Sequence, residues 1–525
     1  MSGSPRIGIV GSGPAAAGAA AALIAAGHRV VVLDVGERLD AFGDQIKREL
    51  AATPTGEWTP EMIQRARGDY RCTPDGLEVK KQFGSDFSTR FPAGAPRVVF
   101  DDVEHIPSFA FGGLSNIWGS SVMPYRPEEI ADWPLRLEDL FPHYRAVARI
   151  VGSTGEAGDP LTDLFPCVHE NLAPLPMSRA GAGMLARMKR HRTALVADGL
   201  HCGMARVAMK PGSCRRCGLC MHGCPDDLIY SSSQTFADWI AAGHVDYQPG
   251  IVVERFRESD GLVEVECRSL AGERQMRTFD RLFVAAGVIP TASIVLSSLG
   301  QFDTPVTGKD SHYFLFPLLR LSGSGDVRRE ALQTLSQIFI DVTDESWGSA
   351  VAHCQIYSYS DIIDASVRAM LGPLAGLAPA VLSHLLIAQV FLHSDVSAQL
   401  IYKLKKAGDG AETLHVSSET NPESAKVRTR VFAKFLRHAL RLGAVAGVPF
   451  AKVGTPGRGL HCGSTFPMSA SPGGVQTDLL GRLRGFSRVH LVDSSVLPSI
   501  PGTTIALSSM ANAHRIASAA LKERP

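Results

Sequence analysis

The sequence has almost no net charge: 53 lysines and arginines stand against 52 aspartates and glutamates, leaving +1 at pH 7. Nothing in that balance points to nucleic acid or an anionic membrane as a partner. Internal repeats and low-complexity tracts are absent, which excludes a solenoid and a disordered linker protein. No apolar run is unbroken over the about 20 residues that a membrane-spanning helix needs. The most apolar stretch, residues 369–392, is interrupted by Gly372, Pro373, Gly376, Pro379 and His384. It predicts buried or interfacial structure and no transmembrane segment. Arg6-Ile7-Gly8-Ile9-Val10 already reads as a strand, which leaves no room for a secretory leader ahead of it. Nor are the cysteines spread as a disulfide framework, because four of the ten crowd into eleven positions. That crowding favours a metal site in a reducing compartment. The expectation is a cytoplasmic protein, exported only if a partner subunit carries it.

With 525 residues the chain exceeds one ordinary core, so two intertwined domains are expected. Apolar residues make up 45% and charged residues 20%, an ordinary globular balance. Ile7 to Val10 reads as a strand, the alanine-rich residues 15–26 as a helix, and Val30-Val31-Val32-Leu33 as a second buried strand ending at Asp34. Between strand and helix stands Gly11-Ser12-Gly13-Pro14-Ala15-Ala16, the G-x-G-x-x-A fingerprint of a dinucleotide-binding βαβ unit. Gly11 permits the tight turn, and Gly13 lets a pyrophosphate approach the helix N-terminus, where free N–H groups favour anions. Ala16 allows helix to pack on strand. Asp34 is placed to accept hydrogen bonds from an adenosine ribose. The unit by itself does not distinguish FAD from NAD.

Cys214, Cys217, Cys220 and Cys224, followed by Pro225, form C-x2-C-x2-C-x3-C-P, the spacing with which bacterial ferredoxins hold an iron–sulfur cluster. A [4Fe–4S] cluster on all four, a [3Fe–4S] cluster on three, and a cluster completed by Cys202 are each compatible with it. A tetrathiolate zinc site and plain structural cysteines or a disulfide are the competing readings. Cys72, Cys167, Cys267, Cys354 and Cys462 are scattered and read as small apolar residues.

Several segments resemble the glucose–methanol–choline (GMC) oxidoreductases. Phe111-Gly112-Gly113-Leu114-Ser115-Asn116-Ile117-Trp118-Gly119 is similar to that family's flavin-contacting GG-x-S/T-x-x-W-G loop. Trp133-Pro134-Leu135 and Leu140-Phe141-Pro142-His143-Tyr144 resemble the stretch that follows it. Phe283-Val284-Ala285-Ala286-Gly287 is similar to the buried strand ending in A-A-G, and His461-Cys462-Gly463-Ser464-Thr465-Phe466-Pro467-Met468 to the H-x-x-G-T-x-x-M segment. Residues 489–517 resemble the C-terminal flavin-binding end. The resemblance implies non-covalent FAD, with Ala286, Gly287, Asp493 and Thr504 beside it together with Gly112, Gly113, Ser115, Asn116 and Trp118. It also implies that His461 is the base that takes the substrate hydroxyl proton while hydride moves to the flavin. The family's second catalytic residue, His or Asn, falls on Ile500, which cannot hydrogen-bond. Thr503, Thr504 or Asn512 is expected to substitute, or the role is absent. Sugar dehydrogenases of the family carry a comparable cysteine-rich insertion, which favours an electron relay.

The expected fold is α/β. An FAD-binding, Rossmann-like doubly wound domain occupies 1–150, 196–300 and 450–525, with the cysteine-rich insertion at 202–230. A discontinuous α+β substrate domain, an antiparallel sheet backed by helices, occupies 151–195 and 301–449. Helices are expected near 362–371 and 378–388, a strand at 390–395 and a basic amphipathic helix at 432–447. Residues 40–90 read as a cap or arm.

The first functional expectation is an FAD-dependent dehydrogenase of a sugar-like or polyol hydroxyl, with electrons leaving through the cluster to a protein or quinone acceptor. The alternatives are an oxidase of a long-chain or steroid-like alcohol using oxygen, with structural cysteines, and a catalytically degenerate flavoprotein serving electron transfer or assembly.

Overall fold

The computed structural model describes residues 5–69 and 80–523, so Cys72 lies outside the described residues. Five strands form a parallel sheet in the order Val489–Leu491, Arg281–Val284, Ile7–Val10, Val30–Leu33, Val245–Gln248. Ile7 lies opposite Val30 on one side and Arg281 on the other. The inner strands are almost wholly buried, as continuous apolar runs in a parallel sheet require. The helix Pro14–Ala25, two-thirds alanine, packs against the C-terminal helix Ile505–Ala520. Their closest approach is at Gly18, where any Cβ would collide with the carbonyl oxygen of Met510. Only glycine permits that backbone contact.

A three-stranded antiparallel meander follows at Ile251–Ser259, Leu262–Ser269 and Arg274–Phe279. Asp260 and Gly261 both take positive φ at its first turn, as the Ser259-Asp260-Gly261 sequence suggests.

The second large sheet is antiparallel, ordered Ala444–Ala446, Tyr313–Arg320, Leu385–Phe391, Ala352–Tyr357, Ile338–Val342, Leu200–Met204, with Lys452–Val453 beside Tyr313–Arg320. The sequence boundaries put Leu200–Met204 on the nucleotide side. The structure pairs it with Ile338–Val342, because all five of its residues are buried in the core beneath this sheet. A smaller sheet, Cys462–Gly463, Val306–Asp310, Gln399–Lys406, Glu412–Glu419 and Arg97–Asp101, carries the segment that holds His461.

Ala352–Tyr357 and Leu385–Phe391 are direct neighbours, His353 facing Phe391 and Tyr357 facing Ile387. Between them the chain leaves the sheet as helix Asp361–Leu371, a 3-10 turn at Gly372–Leu377 and helix Ala378–His384. The expected helix over 378–388 therefore stops early. Leu385–Phe391 is an apolar run, and such runs read alike as helix or buried strand. Asp361–His384 is long and apolar enough to cross a membrane by length and composition, and only 17% of its most apolar window is buried. Of the two expectations for this stretch, buried or interfacial, the first does not hold for its helical part, which is an exposed tip folded over a small core of Val327, Val367, Ala378, Leu382 and Leu385.

The basic helix begins earlier than its charge pattern suggests, at Glu423–Arg437. Lys434 is not on a solvated face: it is buried, donates to the Asp198 carbonyl at 2.6 Å and pairs with Asp344 at 3.2 Å.

Candidate active site

A cavity of about 1380 Å³ extends from the carboxyl ends of the parallel strands to the exposed tip. In open α/β sheets that crevice is where ligands bind. Gly11, Gly13, Asp34, Ala286, Gly287 and Asp493 all line it.

Its inner part fits the dinucleotide that the fingerprint predicts. Gly11 has φ +92°, and a Cβ there would come 2.6 Å from the Ala285 oxygen. A Cβ on Gly13 would meet nothing within 4 Å, so its backbone faces open space, with Gly113 passing close above it. The helix Pro14–Ala25 starts with neither a side-chain cap nor an acidic residue in its first turn. The C-terminal helix is uncapped as well, because the Thr504 hydroxyl is turned to accept the Met123 N–H at 3.1 Å. Two helix ends thus present unsatisfied N–H groups to one cavity, an arrangement that stabilises anionic groups such as phosphates.

Asp34 accepts from the Ser12 hydroxyl and from the Tyr247 hydroxyl at 3.0 Å. Burial pushes its pKa up to about 6 against the pull of those two donors. Asp493 accepts from the Gly287 N–H at 2.9 Å and the Thr291 hydroxyl at 2.6 Å. It caps the helix Val288–Ser298 while lining the cavity, and burial raises its pKa.

In the 111–119 loop, the Gly112 N–H donates to Ser12 Oγ at 2.9 Å and the Ser115 hydroxyl to the Gly112 carbonyl at 2.5 Å. Asn116 Nδ2 donates to the Phe111 and Gly113 carbonyls, and Trp118 Nε1 to the Tyr230 carbonyl. Gly113, Ser115 and Trp118 line the cavity, as does Thr504; Gly112, Asn116 and Ala16 stand behind the wall.

His461 lines the cavity and stacks on Phe391, ring centroids 4.6 Å apart and planes 27° from parallel. Its Nδ1 is buried without a hydrogen-bond partner among the described residues. Burial, assisted by His353, pushes its pKa down to about 4. The segment around it is held in an unusual backbone shape. Leu460 and Ser464 both have positive φ, at 58° and 62°, a conformation that costs non-glycine residues about 1–3 kcal/mol and persists where surroundings enforce it. A Cβ on Gly463 would strike Ser494 O and sit 2.7 Å from Ile500 Cδ1. Ile500 therefore packs beneath the segment and does not face the cavity. Neither do the residues read as its substitutes, apart from Thr504. Thr503 is buried with its hydroxyl unpartnered. Asn512 is held away in the C-terminal helix, its amide oxygen accepting from Arg515 Nε and Nη2 at 3.0 and 2.9 Å.

Two buried groups beside His461 escape sequence reasoning. Asp310 Oδ2 accepts the Gly457 N–H at 3.0 Å and Oδ1 the Cys462 thiol at 3.3 Å, and His105 Nδ1 lies 3.5 Å from the same sulfur. Burial drives the Cys462 thiol well up and His105 down to about 4, so this cluster anchors the segment and supplies no nucleophile. The second group is a buried pair, His353 Nδ1 to Asp341 Oδ1 at 2.8 Å. His353 shares a strand face with the cavity-lining Gln355 and Tyr357. The available signal was a charged or imidazole side chain inside an otherwise apolar strand, as in Ile338-Phe339-Ile340-Asp341.

The four clustered cysteines are free thiols whose pKa values burial raises, to about 11 for Cys217 and about 12 for Cys220. Among the described residues no group of three or more His, Cys, Asp or Glu is arranged to hold a metal ion, so the sulfurs as they stand form no ligand shell. Each instead accepts a backbone N–H: Arg216 to Cys214, Thr334 to Cys220 and Leu228 to Cys224, all at 3.4 Å, and Leu219 to Cys217. Cys202 lies elsewhere, in the large sheet across Ile340 from Cys354. The loop touches the cavity through Met221, and Thr334 lines it as well.

Replacing Asp310 by alanine strands the Gly457 N–H and the Cys462 thiol, at a cost of about 1–3 kcal/mol. A lower urea midpoint is expected, with partial recovery in Asp310→Asn. A midpoint equal to that of the parent would show that Asp310 does not anchor the segment.

No protein-family model matches the sequence, and no curated protein matches it. Among solved structures the chain is similar to pyridoxine 4-oxidase from Mesorbium loti, with a TM-score of 0.60, 14% identity, and coverage of 99% of this chain and 100% of that one. The likeness shows that this chain shares the fold of that protein over nearly its whole length.

Proposed function

We propose that the protein is an FAD-dependent oxidoreductase that oxidises a hydroxyl group on a largely apolar molecule. One observation carries the reading: a neutral, buried imidazole, His461, stands in the same cavity as two uncapped helix N-termini and the glycine cradle. The N–H groups around Gly13 and Thr504, with Asp34, Ala286, Gly287 and Asp493, would hold FAD. When bound, its isoalloxazine ring supplies the hydride acceptor. His461 accepts the hydroxyl proton, and the stacked Phe391 ring together with the Asp310 anchor fixes its orientation.

The outer cavity favours the apolar-alcohol reading over the sugar or polyol one. It is lined by Ile363, Val367, Met370, Leu371, Val381, Leu385, Ile387 and Phe450, with Gln355, Gln389 and Tyr357 deeper. A polyol would leave most of its hydroxyls unpaired against that wall, a cost that an alkyl or ring system does not incur. Anaerobic mixing with long-chain or polycyclic alcohols is expected to bleach the flavin band. His461→Ala should retain flavin and be reduced about 10²–10⁴-fold more slowly, the usual worth of a general base. Reduction by sugars and by none of the apolar alcohols would overturn the substrate reading. Undiminished reduction of the alanine variant would overturn the base.

The pH profile is a separate check. His461 can accept a proton only while unprotonated, and its pKa lies near 4. kcat/KM should therefore stay level as pH falls through the ordinary imidazole range and drop only on approaching pH 4. A break near the unperturbed value of about 6.5 would contradict the burial argument.

A second reading concerns where the electrons leave. Hydrogen bonds to every sulfur are the setting that tunes cysteine-ligated iron–sulfur clusters, and the four cysteines all have them. Because the sulfurs do not face one another here, a [4Fe–4S] or [3Fe–4S] relay to a protein or quinone acceptor would require the loop to turn them inward, and we infer that relay only on the cysteine spacing. Anaerobically purified protein is expected to contain iron and acid-labile sulfide. The absence of both would overturn the relay and leave the cysteines as structural.

A further inference from the structure

The tip formed by residues 361–384 is the largest feature that the proposed chemistry leaves unused on its outer side. No charged side chain occurs from residue 369 to residue 383. Met370, Leu374 and Leu377 are exposed by 63%, 61% and 56%, and Phe450 by 58%. A soluble surface rarely leaves so many large apolar side chains together in water without a use for them. Met370 and Phe450 also line the cavity. The wall that faces the substrate space and the patch that faces outward are therefore continuous.

The topology decides what can cover such a patch. Both ends of the tip return to adjacent antiparallel strands of one sheet. Asp361 is tied at the base, 2.5 Å from Arg67 and 2.8 Å from His222. Gly372, with φ +51°, breaks the helix at its apex. The segment is thus a hairpin with its breadth outward and cannot cross a bilayer as one rod, whatever its hydropathy. It has the form of a plug that enters a single leaflet. Its flanks carry Arg328 and Arg329, in the short 3-10 helix Val327–Arg329 that packs on Ala378–His384, together with Arg368 and Lys452. Two carboxylates, Asp326 and Asp364, share those cations, which leaves an excess of positive charge around the apolar apex. Apolar residues ringed by cations match the layering of acyl chains under phosphate headgroups.

We propose that this tip, with Phe450, seats the protein on the surface of a lipid bilayer, so that the cavity mouth opens into the acyl region and an apolar alcohol enters without crossing water. The substrate clause rests on the apolar-alcohol reading above; the docking does not, and the two are read by different measurements.

The test uses the full-length, FAD-loaded protein and sedimentation with large vesicles of phosphatidylcholine alone or mixed with phosphatidylglycerol. Binding is expected to both, and more strongly to the anionic mixture. The doubly substituted Leu374→Glu, Leu377→Glu protein changes two side chains that do not line the cavity. Its vesicle affinity should fall by at least about tenfold, given the apolar area withdrawn from lipid, while a short water-soluble alcohol reduces its flavin at the parental rate. Leu440→Glu, at an exposed leucine outside the tip, should bind as the parent does. Absence of sedimentation with either vesicle would overturn the proposal, and so would equal binding of the doubly substituted protein. A parental dimer that the double substitution converts to monomers, seen by sedimentation velocity without lipid, would assign the patch to a second copy of the chain. Vesicle binding with no oxidation of any apolar alcohol would keep the docking and remove the substrate reading.

Discussion

The near-contact of the first and last helices is the constraint on which the rest of the molecule depends. Gly18 lies directly against the Met510 carbonyl, and that contact joins two segments almost five hundred residues apart in the chain. It is the reason two helix N-termini converge on one cavity, since neither helix could approach so closely if larger side chains stood between them. The positive potential there is built from backbone, without a single lysine or arginine in the fingerprint turn. Backbone dipoles cannot be protonated away or rotated aside, so the site keeps its polarity over a wide range of conditions.

A second layer of constraint holds His461. Its segment is pinned through Asp310 on one side and through the absent side chain of Gly463 on the other. The left-handed residues Leu460 and Ser464 follow from that double hold. The same enclosure that orders the imidazole also lowers its basicity, so positioning and protonation state share one cause. Ile500 belongs to this layer. Where the family resemblance leads one to look for a hydrogen-bonding partner, the structure has an aliphatic prop under the loop.

The sequence made the parts with local grammar readable. The βαβ unit and the Ser259-Asp260-Gly261 turn are legible from neighbours within a few residues of one another, and the motif around His461 singles out a side chain that lines the cavity. What stayed hidden depends on strand partners distant in the chain: Asp341 acquires its meaning from His353 across the sheet, and Asp310 from Gly457 and Cys462. The sheet that Leu200–Met204 joins is hidden for the same reason, since only its pairing with Ile338–Val342 reveals it. The burial of Lys434 is not legible either, because a basic residue on a helix usually faces water and here two acceptors, distant in the chain, meet it inside. The cysteine spacing was easy to see, yet spacing records which thiols are near one another and says little about where their sulfurs turn.

The excursion at 361–384 leaves and rejoins the large sheet at neighbouring strands, so strand register does not depend on its length. Its small core takes Val327 from an earlier loop and Leu385 from the sheet strand itself, so the excursion is stapled to its base. Variation in length is therefore confined to the apex around Gly372–Leu377, beyond those staples.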